Sequence, residues 1–290
     1  MIPPGGIVRY NLRRGNAVMI NRALTALIAI VFALGVTTSA AQQEPAPAPA
    51  APPAVQTPAG PVAPGGPAAG PGRGRGPLPP LGPATEPLPR EGARHQSFLE
   101  VAKGGNIDLL FVGDSITDWW RQEQRGLAVW NEFFAPLKAA NFGIAGDTTQ
   151  GVLWRMQNGE LDGFQAKLIV LMLGTNNINR NANDDIAEGD RAIVNEFLKR
   201  QPQAKVLLLG VFPRGPAADN PFRASIKAIN DKLATFADNQ RVFYMDIGDK
   251  FLAADGTLPA EIMPDGLHPN AQGYKIWADA IHARVKELMQ

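Results

Sequence analysis

The sequence predicts an α/β fold, in which a parallel β-sheet carries helices on both of its faces. Short apolar runs typical of buried strands alternate along the chain with longer stretches whose apolar residues recur at helical spacing. Alternation of strand and helix favours parallel strands, because each helix carries the chain back to the edge where the next strand begins. Strands are predicted at residues 107–112, 141–143, 167–173, 205–212 and 241–247.

Three amphipathic helices are predicted between and after these strands. One apolar stripe covers residues 186–198, and Asp184 or Asp185 can cap the start of that helix. A second stripe covers residues 222–236. The last helix is predicted over residues 271–289, where aromatic and aliphatic side chains share one face. Together with the strands, these helices indicate a sheet covered on both sides.

Residues 1–41 are predicted to be a secretory signal peptide. Basic residues precede an apolar core at 23–36, and small residues follow at 39–41. This core is shorter than the roughly 20 apolar residues that a membrane span needs, so no stable span is expected and an uncleaved anchor is the alternative interpretation. We therefore expect the protein to be secreted or periplasmic.

Residues 42–90 consist almost entirely of Ala, Pro and Gly, and they are predicted to form a disordered linker. Such a segment buries too little apolar surface to offset the entropy lost on ordering. The folded domain is expected over residues 91–290, a length typical of one domain.

Composition excludes several functional classes. The net charge of +1 provides no electrostatic basis for nucleic-acid binding. The chain has no cysteine, so disulfides, thiolate zinc sites and cysteine nucleophiles are excluded. The sequence does not indicate an oligomeric state.

Ser115 occupies a position that suits a nucleophile. It directly follows the first predicted strand in the sequence Gly113-Asp114-Ser115. Ligands of open α/β sheets bind outside the carboxyl ends of the strands, which is where this serine is expected. A serine hydroxyl also needs a base, a group that orients the base, and donors for the developing oxyanion.

His268 is the best candidate for the base. It lies in the loop between the last strand and the last helix, and Asp265 precedes it by three residues and can orient its imidazole. By contrast, His95 is predicted to be a surface residue, and His282 lies on the polar side of the last helix. In the competing interpretation, Asp265 and Asn270 cap a helix and His268 is only a turn residue.

Two other strand ends offer hydrogen-bond donors for an oxyanion. Gly146 lies in a glycine-rich turn after the second strand, where its N–H can face an anion. Asn176 follows the third strand, and its side-chain amide can donate. An ordinary glycine turn and an Asx-type turn would explain the same residues.

Four blocks of sequence, in this order, resemble the SGNH (GDSL) hydrolase family. They are Gly113-Asp114-Ser115, Gly146-Asp147, Gly174-Thr175-Asn176-Asn177 and Asp265-Gly266-Leu267-His268. The resemblance covers nearly all of residues 91–290 and is strongest to the branch that contains the catalytic subunits of intracellular platelet-activating-factor acetylhydrolase. It implies a flavodoxin-like, three-layer α/β/α fold around a five-stranded parallel sheet. The Gly-x-Ser-x-Gly elbow of other α/β hydrolases is absent.

The resemblance also implies a role for each site residue. Ser115 would be the nucleophile, and its own N–H would contribute to the oxyanion hole. The Gly146 N–H and the Asn176 side chain would be the other two donors. His268 would be the general base, and Asp265 would orient it.

The expected function is that of a secreted serine esterase that hydrolyses short-chain esters, acetyl esters first, through an acyl-enzyme. A carbohydrate acetate is one candidate substrate, and Trp119 and Trp120 are either sugar-stacking residues or core residues. No metal or organic cofactor is expected. Two alternatives stay open: an acetylhydrolase or lysophospholipase that acts on lipid esters, and a non-catalytic carbohydrate-binding module of the same fold.

Overall fold

The computed structural model describes residues 79–290, which contain a five-stranded parallel sheet of order β2-β1-β3-β4-β5. Each strand lies within or beside one of the predicted apolar runs, so the expected parallel sheet is confirmed. The strands are β1 (Leu109–Gly113), β2 (Ala139–Gly143), β3 (Leu168–Met172), β4 (Lys205–Leu209) and β5 (Val242–Met245).

Helices cover both faces of the sheet, and two separate apolar clusters fill the space between the layers. One cluster joins α1, α4, α5 and α6 to one face of the sheet, and the other joins α3 and α7 to the opposite face. This is the three-layer α/β/α arrangement expected above. The helices are α1 (Ala93–Lys103), α2 (Ser115–Asp118), α3 (Leu127–Phe133), α4 (Thr149–Arg155), α5 (Asn183–Arg200), α6 (Pro221–Ala234) and α7 (Ala271–Leu288).

The order of the strands brings three loops together at the carboxyl edge of the sheet. β1 lies between β2 and β3, and Gly113 is in register with Gly143 on one side and with Met172 on the other. The segments that follow these three positions therefore leave the sheet side by side. They carry Ser115, Gly146 and Asn176, respectively after β1, β2 and β3.

The packed chain begins earlier than the predicted boundary at residue 91. Within residues 79–90, Ala84 is fully buried, and its N–H donates to the carboxylate of Asp185. The N–H of Leu88 donates to the carbonyl of Gln150 at 3.1 Å. Composition suggested a linker here, but the backbone of this segment is tied to α4 and α5 by hydrogen bonds that a count of Pro and Gly does not reveal.

The start of α5 differs from the expected carboxylate cap. Ala182 occupies the N-cap position and has no side-chain acceptor, and the carboxylate of Asp185 accepts the N–H of Ala84. The predicted signal peptide and residues 42–78 of the predicted linker lie outside the described residues. Between residues 79 and 290, no helix is both long and apolar enough to cross a membrane.

Candidate active site

Ser115 is the first residue of α2, immediately after β1. The turn before it requires glycine at position 113, because a Cβ there would lie 2.5 Å from the carbonyl oxygen of Met172. The side chain of Asp114 caps α2 by accepting the N–H of Ile116 at 2.9 Å. The N–H of Ser115, as the first in the helix, has no acceptor within it. Ser115 itself is buried, with 7% of its surface exposed.

The structure brings Ser115, His268 and Asp265 into one line of hydrogen bonds. Ser115 Oγ lies 2.9 Å from His268 Nε2, and His268 Nδ1 lies 2.6 Å from Asp265 Oδ2. The other carboxylate oxygen of Asp265 accepts the backbone N–H groups of Leu267 and His268. With the imidazole proton on Nδ1, Nε2 is free to accept the serine proton, which is the arrangement that nucleophile activation needs.

The capping interpretation of the 265–270 loop holds only for Asn270. Asn270 does cap α7, since its side chain accepts the N–H of Gly273 at 3.1 Å. Asp265 does not cap this helix, because its carboxylate is held by the loop and by His268. His268 is therefore more than a turn residue, although its catalytic role stays a prediction.

The surroundings keep the imidazole neutral near pH 7. Burial lowers the pKa of His268, and the nearby cations Arg125 and Arg214 lower it further, against the opposing effect of Asp265. Burial acts to raise the pKa of Asp265, but hydrogen bonds from His268 and the loop outweigh it and leave this pKa below its ordinary value. The pair is thus poised as a neutral base beside a carboxylate.

We expect Arg125→Gln to move the acidic limb of the kcat/KM profile to higher pH. Protonation of His268 blocks proton uptake from Ser115, and removing a nearby positive charge makes that protonation easier. Arg125→Lys keeps the charge and is the matched control, whose limb should stay near that of the parent protein. A limb that moves equally in both variants, or in neither, would contradict the electrostatic cause.

The adjacent tryptophans have separate positions. Trp120 is fully buried among the rings of Trp130, Tyr274 and Trp277, so it is a core residue. Trp119 is partly exposed, and its ring centroid lies 3.9 Å from that of His268. Of the two, Trp119 is the one that borders the site.

Arg125 contacts both Trp119 and the loop that carries His268. Its guanidinium lies 4.2 Å from the ring centroid of Trp119, and its Nη1 donates to the carbonyl of Pro269 at 2.9 Å. The aromatic side chain and the histidine loop are thereby connected through one cation.

The two remaining candidate donors lie in adjacent loops. Gly146 is exposed, with φ of +81°, and apart from its chain neighbours no described residue lies within 4 Å of the place where a Cβ would be. Asn176 reaches the same turn, since its Nδ2 donates to the carbonyl of Asp147 at 2.8 Å. Asn177 faces inward instead, where it donates to Gln150 at 2.9 Å and accepts the N–H of Thr149. The assignment of Gly146 and Asn176 to an oxyanion hole stays a prediction.

A buried ionic network supports the Gly146 turn from behind, and the sequence analysis missed it. Arg155 is fully buried, with Nε donating to Asp147 at 2.9 Å and Nη2 to the carbonyl of Phe142 at 3.1 Å. Its Nη1 pairs with Glu160, which in turn contacts His95 at 2.8 Å. The prediction that His95 is a surface residue is wrong, because this network and the ring of Trp154 enclose it.

Two buried carboxyl groups lie beneath the site. Burial, together with the nearby charge of Asp147, raises the pKa of Asp114 to about 7, although the hydrogen bond from Ile116 opposes this. Burial also raises the pKa of Asp190 well above its ordinary value, and Asp114 adds to this effect. Among the described residues, neither carboxylate oxygen of Asp190 has a hydrogen-bond partner.

We expect Asp190→Asn to weaken the fall in stability with rising pH that the buried carboxyl causes in the parent protein. The folded protein holds the Asp190 proton more tightly than the unfolded chain does. Stability therefore falls as pH rises from about 4, the ordinary carboxyl pKa, towards the raised value. Denaturant unfolding across this range measures the effect. Asp184→Asn, at an exposed position of the same helix, is the matched control. A parent-like slope in Asp190→Asn would refute the assignment.

Comparison with known proteins adds sequence and fold similarities. Residues 111–276 match the GDSL-like lipase/acylhydrolase family. Platelet-activating factor acetylhydrolase IB subunit alpha1 from Bos taurus is 36% identical over 216 residues, 71% of this chain and 90% of that relative. Subunit alpha2 from Rattus norvegicus is 38% identical over 199 residues, 68% of this chain and 84% of that relative. The solved acetyl xylan esterase AlAXEase covers 62% of this chain and 100% of its own, with a TM-score of 0.54 and 22% identity.

Proposed function

Because the chain belongs to the GDSL-like lipase/acylhydrolase family and is an acylhydrolase, we propose that Ser115, His268 and Asp265 are its catalytic triad. The observation that carries this proposal is the continuous line from Ser115 Oγ through the imidazole of His268 to the carboxylate of Asp265. With family membership established, the non-catalytic binding module that the sequence left open is not retained.

The proposed reaction is a two-step acyl transfer. His268 Nε2 takes the proton of Ser115 Oγ, and the oxygen attacks the ester carbonyl to form a tetrahedral intermediate. Its oxyanion would be held by the N–H groups of Ser115 and Gly146 and by the amide of Asn176. Asp265 stabilises the imidazolium, which then gives its proton to the leaving alcohol.

Deacylation follows the same path in reverse. His268 removes a proton from water, and the resulting hydroxide attacks the acyl carbon. The imidazolium returns the proton to Ser115 Oγ as the acid departs. His268 thus carries one proton in each step: from Ser115 to the alcohol in the first, and from water to Ser115 in the second. The ester bond between Ser115 and the acyl group forms in the first step and breaks in the second.

We propose acetyl esters as the preferred substrates, with carbohydrate acetates as a candidate class. The relatives named as acetylhydrolases support a short acyl group. The acetyl xylan esterase shares the fold, and its name suggests one class of alcohol to test. The partly exposed ring of Trp119 beside His268 offers a surface on which a sugar could stack.

The substrate proposal is tested with matched esters. Hydrolysis of p-nitrophenyl acetate, butyrate and octanoate should slow as the acyl chain lengthens. Acetylated xylo-oligosaccharides and a 2-acetyl ether phospholipid then compare the two candidate alcohols. Preference for octanoate would contradict the short acyl group, whereas preference for the phospholipid would favour the lipid-ester alternative.

Secretion or periplasmic location is also proposed, and it rests on the sequence of residues 1–41 alone. Cell fractionation of a tagged full-length chain tests it. Replacing apolar residues within 23–36 by charged ones should retain the protein in the cytoplasm. Unchanged export of that variant would refute the assignment of residues 1–41 as a signal peptide.

A further inference from the structure

We propose that Arg90 is a positioning residue that aims the Gly146 N–H into the oxyanion hole, an inference that rests on the function proposed above. Arg90 lies before α1, in the segment that composition assigned to a linker. It acts through the backbone of a neighbouring turn and has no contact with the reacting atoms in this proposal.

Arg90 binds both neighbours of Gly146. Its Nε donates to Asp147 Oδ1 at 2.5 Å, and its Nη2 donates to the carbonyl of Ala145 at 3.2 Å. The glycine between these two contacts has positive φ and an unobstructed space beside its Cα. The turn that contains Gly146 is closed by the N–H of Asp147, which donates to the carbonyl of Ile144 at 3.1 Å. The central peptide unit of this turn, between Ala145 and Gly146, takes no part in that closing bond, and Arg90 binds its carbonyl.

Peptide geometry turns the contact with Ala145 into control of the N–H. The C=O of Ala145 and the N–H of Gly146 belong to one planar trans peptide unit, so they point in opposite directions. A guanidinium that anchors this carbonyl on one side holds the N–H towards the other side. Donors act on an oxyanion only when they are already aimed at the place where charge develops.

Arg90 and Arg155 share Asp147 but differ in what else they do. Arg155 is completely buried and ties Asp147 to β2 and to Glu160. The side chain of Arg90 is 38% exposed, so replacing it removes little core packing. The carbonyl of Asp147 also accepts the amide of Asn176, so the same turn connects two of the proposed donors. Arg90 is thus the part of this support that can be changed without dismantling the fold.

The segment that carries Arg90 is held along the domain by contacts of its own. The Gly82 carbonyl accepts hydrogen bonds from Gln150 and Asn181, and Ala84 is buried against α5. Further along, Arg180 Nε donates to the carbonyl of Pro79 at 3.2 Å. These contacts explain how residues outside the predicted domain boundary reach the site.

The test uses the full chain with Arg90→Gln. We expect kcat on p-nitrophenyl acetate to fall by about 10- to 100-fold, as for a small misplacement of a catalytic group, while KM changes little. Arg90→Lys keeps the charge but not the two-pronged geometry, so its kcat should be intermediate. A merely structural role would instead lower the unfolding temperature and leave kcat per folded molecule unchanged, and that result would overturn the proposal.

Arg180→Gln is the matched control, because Arg180 binds the same segment but not the Gly146 turn. It should retain the parent kcat, and an equal loss in both variants would refute the specific role of Arg90. Ser115→Ala distinguishes failure of this inference from failure of the proposed function. Full activity in Ser115→Ala would refute the proposed function itself. Full activity in Arg90→Gln, with Ser115→Ala inactive, would refute only the positioning role of Arg90.

Discussion

Ser115→Ala is expected to abolish ester hydrolysis and to leave a folded protein. The change removes one oxygen, which is hydrogen-bonded to His268 Nε2, and creates no unpaired buried donor. Loss of the nucleophile in a serine hydrolase costs roughly 10⁴-fold or more in kcat. Hydrolysis of p-nitrophenyl acetate and the unfolding temperature measure the two halves of this prediction.

Ser97→Ala is the control for that experiment. Ser97 Oγ donates to the carbonyl of Arg94 within α1 and not to the proposed triad, so kcat should be unchanged. Labelling with a fluorophosphonate gives an independent readout, since the parent protein should form an adduct at Ser115 and the alanine variant should not. An active or labelled Ser115→Ala protein would refute the assignment of the nucleophile.

Asn176→Ala is expected to lower kcat by about 100- to 1000-fold, the usual cost of removing one oxyanion donor. KM should change little, because the amide is proposed to bind the negative charge that forms only in the transition state. The variant also loses the hydrogen bond to the Asp147 carbonyl, but the Asn176 side chain is only partly buried and the fold should persist.

Asn177→Ala provides the contrasting result. Its side chain is buried and bonded to Thr149 and Gln150, so its loss should appear as about 1–3 kcal/mol of lower stability. Exposed Asn158, whose amide donates to the carbonyl of Trp154, serves as the neutral control. If Asn176→Ala lost stability while its kcat per folded molecule were retained, Asn176 would be a turn residue and not a donor.

Strands and site motifs were accessible from the sequence because their signals are local. A buried parallel strand is a short apolar run whatever lies beside it, and all five runs became strands. Gly113 and Ser115 are two positions apart in the sequence, and Asp265 and His268 are three positions apart. Parallel strands then place these turns on one edge without further information.

Contacts between distant segments were not accessible in the same way. Arg90 and Asp147 are 57 positions apart, and no pattern near either residue indicates their ion pair. The burial of His95 depends on Glu160, 65 positions away, and on Arg155 between them. Composition likewise misplaced the start of the domain, because Pro and Gly report local backbone preferences and not the surface on which a segment rests.

The amino-acid sequence determined the α/β class, the family, and the identity of Ser115, Asp265 and His268 as candidates, since each depends on short-range pattern. Tertiary structure was needed to separate Trp119 from Trp120, to bury His95 and Asp190, and to bring Arg90 to the Gly146 turn. These outcomes depend on which surfaces meet when the chain folds. Burial and charge pairing arise from contacts between segments that are distant in the sequence, so no single stretch of sequence specifies them.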